Sequence, residues 1–162
     1  MKKTFLTVLF VCIFAIGAQA QTATPTPTAP RTSAGPVYMV TYYKIKPGKG
    51  ADYTKDIYEN GKPLGDEYVK QGLILGYKLF TQPTSGGPND WDRALVVVFK
   101  NYADALDFSA ERGQKFNEIM LKHYGSAEAR TKHNDWARDL TDTLSSHMMR
   151  ELIINPMTPT PK

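Results

Sequence analysis

Cysteine is almost absent. The 162-residue chain has one, Cys12, set inside the apolar stretch TFLTVLFVCIFAIG. Beyond that stretch there is no thiol for a disulfide framework, a cysteine-based metal site or thiol catalysis. Long hydrophobic runs are equally scarce, and the one around Cys12 is short for a membrane span. An excess of one charge is missing too. Twenty basic and 16 acidic residues leave +4, with the signs interspersed, so the electrostatic footprint of a nucleic-acid or anionic-membrane binder is lacking. No G-x-S-x-G, Walker or dinucleotide motif occurs, and KPGKGAD lacks the spacing of either phosphate loop.

What is present divides into four parts. Residues 1–20 have the build of a signal peptide: Lys2 and Lys3, the apolar stretch, then AQA with small residues at Ala18 and Ala20. Cleavage before Gln21 is expected, giving a periplasmic or secreted chain of charge +2 with no membrane anchor. Cys12 follows Phe10 and Val11 rather than small residues, which argues against a lipoprotein cysteine. Residues 21–36 are a Thr/Pro-rich spacer with no apolar face to bury, and 155–162 repeat that composition as a tail. Residues 37–154 have ordinary globular composition and suffice for one domain.

Within the domain the hydrophobic rhythm changes repeatedly. VYMVTYYKIK alternates, with Val37, Met39, Thr41, Tyr43 and Ile45 on one face and Tyr38, Val40, Tyr42 and Lys44 on the other, as a strand does. Pro47-Gly48 stops it. Tyr53, Ile57, Leu64 and Tyr68 then share a helical face, interrupted at Gly61 and Pro63, where a kink or a second helix is expected. LILGYKLFTQ and DRALVVVFK are predicted strands around a Pro/Gly-rich loop. Asn101 can cap a helix carrying Tyr102, Leu106, Phe116 and Met120. Gly125-Ser126 predicts a stop and a new start, leading to a polar helix over 126–144 held by Trp136, Leu140 and Leu144. HMMRELIIN is the last strand.

Strand, helix, strand, strand, helix, strand is the ferredoxin-like βαββαβ order, an antiparallel sheet with helices on one face. DRALVVVFK is apolar on both faces, so the side away from the helices needs a cover. A second copy supplies one, and a homodimer is expected.

YYKIKPGKGADY, GKPLGDEYVKQGLILGYKLF, DWDRALVVVFKNYADA and the closing RELI resemble the dimeric α+β barrel superfamily, and within it the NIPSNAP-like, antibiotic-biosynthesis-monooxygenase-like and stress-responsive branches. The likeness spans nearly all of 37–154, and its most useful element is the KPG turn at the strand-to-helix switch. It implies a homodimer whose sheets face each other, with a cleft between sheet and helices in each protomer. Members include cofactor-independent monooxygenases, haem-degrading enzymes and many proteins without assigned activity. The polar helix from Ser126 departs from the short versions of the pattern.

Candidate chemical groups are few. His123, His133 and His147 include no pair at the i, i+4 spacing of a helical metal site, so no metal and no cofactor are expected. Asp90 and Asp92 alternate along an extended segment and point apart. Arg150 interrupts an otherwise apolar strand, where a charge needs an edge position or a partner. Its fork suits a carboxylate or phenolate. Arg150, with Tyr43, Tyr77 and His123 as neighbours, is the expected ligand-binding set. Three functions remain open: a domain binding a small, partly aromatic ligand; a cofactor-independent monooxygenase-like enzyme; and a protein-interaction module.

Overall fold

A computed structural model describes residues 31–83, 87, 90–107 and 109–156. The export segment, most of the spacer and nearly all of the tail lie outside the described residues. β-Branched and aromatic residues build four strands: β1 (Thr32–Ile45), β2 (Gly76–Thr81), β3 (Arg93–Phe99) and β4 (Thr141–Ile154). They pair in the order β2-β3-β1-β4, antiparallel throughout. The two strands adjacent in space at the centre are thus the first and third in the chain. The fold is ferredoxin-like.

Register settles which residues share a face. Val37, Met39, Thr41 and Tyr43 stand opposite Phe99, Val97, Leu95 and Arg93 on β3, while Met148 and Arg150 stand opposite Met39 and Val37 on β4. The helices cover this face. Val37, Ile74, Phe99 and Ala105 form its buried centre, with Met39, Tyr68, Tyr77, Val97, Phe116 and Met148 packed around them. The other face presents Tyr38, Val40 and Tyr42 beside Val98, Val96 and Ala94, and no element of the described chain covers it. Phe80 and Met149, on the two outer strands, are about half exposed.

The first helical region is α1 (Gly50–Asp56) running into α2 (Lys62–Lys70) through a π-helical turn, Ile57–Gly61. Pro63 stands at the start of α2. Its missing N–H and the ring's conflict with the preceding turn fall where the helix widens, so the expected interruption becomes a π turn rather than a break. Gly72 (φ 67°) lies just past the end of α2 in the left-handed conformation that glycine tolerates.

Three expected boundaries shift. The spacer was expected to reach residue 36, but β1 begins at Thr32, because Thr32, Ser33 and Ala34 pair with Ile154, Ile153 and Leu152. Pro36 falls in the register irregularity between Ala34 and Val37, where a residue without an N–H is tolerated. The helix expected after Asn101 is two, α3 (Tyr102–Leu106) and α4 (Ala110–Tyr124). Asn101 caps the first, accepting from Asp104 N–H at 2.8 Å. Ser109 caps the second, accepting from Arg112 N–H at 3.2 Å, and this new cap separates them. Helix α5 (Ala127–Arg138) starts at the expected Ser126 cap but ends before Leu144. β4 takes over from Thr141, and Leu140 is almost wholly buried between the two.

Candidate functional site

A cleft opens between the helix-facing side of the sheet and the α1–π–α2 segment. Its larger lobe, about 370 Å³, has Met39, Leu95, Val97 and Phe99 as floor, with Leu64, Tyr68, Ile74 and Phe116 as apolar walls. Gly61 and Gly65 line the same lobe. Gly65 is required by a close approach: a Cβ there would lie 2.6 Å from Tyr77 Cε1 and 2.7 Å from Cζ. The absence of a side chain lets the Tyr77 ring lie against α2. The Tyr77 hydroxyl donates to Asp66 Oδ1 at 2.7 Å, and Asp66 is also held by Lys62 Nζ at 2.5 Å. Burial, then the hydrogen bond to Asp66, pushes the Tyr77 hydroxyl up to about 12, so it remains a neutral donor.

A second lobe, about 210 Å³, is more polar. Tyr43, Tyr53 and Asp56 line it together with Leu79, Leu95, Ala137 and Leu140. Leu95 thus borders both lobes. Tyr53 is buried, and desolvation pushes its hydroxyl up to about 12, with Tyr43 and Asp56 adding to the rise and Arg93 opposing it.

Behind Asp56 runs a chain of hydrogen bonds that joins α1 and the π turn to α4 and α5. His133 Nε2 lies 2.6 Å from Asp56 Oδ1, and Asn60 Nδ2 donates to the same oxygen at 2.7 Å. Asn60 Oδ1 meets His123 Nε2 at 2.8 Å. Because the Asn60 amide nitrogen faces the carboxylate, its oxygen must accept, and His123 donates. The Tyr124 ring lies 4.7 Å from both imidazoles. Burial, followed by the charge of Asp56, raises the Tyr124 hydroxyl to about 12.

The four residues expected to form one site do not converge. Tyr77 lines the apolar lobe and Tyr43 the polar one. His123 reaches the polar lobe only through Asn60 and Asp56. Arg150 shares the helix-facing side with Val37, but it is exposed on the outer strand β4. Its guanidinium stacks over Tyr102 at 4.5 Å, and it lines neither lobe. An edge strand lets the side chain stay exposed while its guanidinium rests on the Tyr102 ring of α3.

The residues not anticipated are Asp56, Asn60 and His133. Each sits in phase with an apolar stripe: Asp56 and Asn60 among Tyr53, Ile57 and Leu64, and His133 before Trp136 and Leu140. Polar residues on an inward helical face are a sequence signal for a buried network.

No family model and no curated protein matches the chain. Among solved structures it is similar to a NIPSNAP family protein of unknown function from Agrobacterium tumefaciens strain C58. The two are 18% identical, with 76% of this chain and 95% of that one covered and a TM-score of 0.48. It is also similar to a dimeric ferredoxin-like protein from an uncultured marine organism, at 12% identity, with 79% of this chain and 95% of that one covered and a TM-score of 0.40.

Proposed function

We propose that the domain binds a small, largely apolar or aromatic molecule in the cleft between sheet and helices. The observation that carries this is the larger lobe: about 370 Å³, with a predominantly apolar lining and the Tyr77–Asp66 pair as a polar group beside it. Small-molecule sites have this size and this proportion of apolar to polar lining. The protein works as a homodimer, its uncovered sheet face buried against a second copy, because Phe80 and Met149 leave an apolar surface exposed next to Tyr38, Val96 and Val98. Export places it in the periplasm or outside the cell, with the mature chain beginning at Gln21.

The test is native mass spectrometry of protein purified from its own compartment, which is expected to detect a bound small molecule. Leu64→Trp, which fills the larger lobe, is expected to abolish that retention while the melting temperature moves by only a few degrees. Retention unchanged by Leu64→Trp, in a folded protein, would remove the lobe from the proposal. Oxygen uptake with a quinol, dependent on the protein, would turn the same cleft into an oxygenase site.

A further inference from the structure

The second lobe carries a charge that the binding proposal does not use. Asp56 has a side chain only 15% exposed. Among the described residues its one partner at ion-pair distance is His133, itself 18% exposed. His133 Nε2 and Asn60 Nδ2 both meet Oδ1, and they fix the orientation of the carboxylate. Among the described residues no lysine or arginine lies at ion-pair distance from Asp56. A nearly buried carboxylate with no lysine or arginine beside it is costly, and such groups concentrate at functional sites.

From this arrangement we infer that the polar lobe is a subsite for a protonated amine, with Asp56 as counter-ion and Tyr43 and Tyr53 as aromatic walls. The three residues line one space. Tyrosine faces attract a desolvated cation, and a carboxylate–ammonium hydrogen bond is charge-assisted. The raised Tyr53 hydroxyl stays neutral at ordinary pH and adds no repelling or competing charge. Leu79, Leu95 and Leu140 supply the apolar contact for a short aryl or alkyl body, and Leu95 also borders the larger lobe. A divalent metal is a poorer occupant. It needs several oxygen or nitrogen ligands, and no group of three His, Cys, Asp or Glu is placed to hold one among the described residues. Asn60 and His123 act at one remove, positioning the carboxylate.

The inference rests on the reading of the cleft as a ligand site, and the test separates the two. Binding of 2-phenylethylamine and of its neutral isostere 2-phenylethanol to the full exported protein is measured by calorimetry, beside a fluorescent naphthalene probe of the apolar lobe. The amine is expected to bind about tenfold more tightly than the alcohol, the scale of one charge-assisted bond. Asp56→Asn is expected to bring the two to equal affinity. His133→Phe, which keeps a ring against Tyr124, is expected to weaken the amine and leave the alcohol unchanged. Equal affinity in the unsubstituted protein, or no binding of either compound while the probe still binds, overturns the amine subsite and leaves the cleft reading intact. Failure of the probe as well overturns both.

Discussion

Gly65→Ala puts the packing of the cleft to a measurement whose sign is informative. On a helix with room around it, this change stabilises by about 1 kcal/mol, since alanine restricts the unfolded chain and favours the helix. Here the new methyl would lie 2.6 Å from Tyr77 Cε1, 2.7 Å from Cζ and 3.0 Å from Cδ1. Three atoms of a rigid ring cannot yield as the end of a flexible side chain does. The ring must move off α2, into the apolar lobe and away from Asp66. Overpacking of this kind costs about 2–3 kcal/mol, so the net effect is a loss of about 1–2 kcal/mol. For a domain of this size that lowers the melting temperature by about 3–8 °C. Thermal and urea unfolding give the sign, and Tyr77→Leu gives the control. With the ring gone, Gly65→Ala is expected to stabilise, and the cycle should report a coupling of about 2–3 kcal/mol. If Gly65→Ala stabilises by about 1 kcal/mol in both backgrounds, the Tyr77 ring does not lie against Gly65. The described wall of the cleft is then wrong.

Other perturbations separate faces and charge states. Val96→Lys places an ammonium on the uncovered face beside Val40 and is expected to give a folded monomer by light scattering. Val97→Lys points into the cleft and is expected to unfold the protein through a buried, unpaired charge; a folded monomer from Val97→Lys instead would reverse the two faces. Tyr53, Tyr77 and Tyr124 titrate near 12 when folded, against an ordinary value of 10.0. The neutral forms are favoured by folding, so this contribution is complete below pH 10 and is lost as pH rises toward 12. Ultraviolet titration should therefore show a late phenolate fraction that joins the early one when the protein is unfolded in urea. Exhaustive chelation is expected to leave the melting temperature unchanged, and a drop on chelation would reveal a structural metal.

The fold was legible because strands and helices announce themselves through opposite periods. Val37 to Ile45 alternates, DRALVVVFK is apolar on both faces, and Tyr53, Ile57, Leu64 and Tyr68 recur at helical spacing. The order of those elements leaves few topologies once crossovers are right-handed. Boundaries slipped where pairing, not composition, decides. Thr32 to Ala34 have a spacer's composition, yet they become strand because Leu152 to Ile154 offer them a partner. Ser109 resembles any small polar residue on a helix until its hydroxyl caps Arg112 N–H.

The candidate site was harder to read, for a reason visible in Arg150 and Asp56. A charge in a strand attracts attention because the neighbouring side chains are apolar, but an edge strand gives a long cation an easy escape to water, and Arg150 takes it over Tyr102. Asp56 drew none, since an aspartate among the lysines and glutamates of a first helix looks solvated. Its burial depends on His133, 77 residues further on, and on Ala137 of α5, which lines the same lobe. Periodicity alone can flag a polar residue in phase with an apolar stripe, as at Asp56, Asn60, His123 and His133, but it does not pair them. Helix α5 brings His133 to the site. Without α5, Asp56 would lose its imidazole donor, and Ala137 would no longer help close the lobe. Helix α5 thus reaches the polar lobe through His133 and Ala137 while it rests on β4.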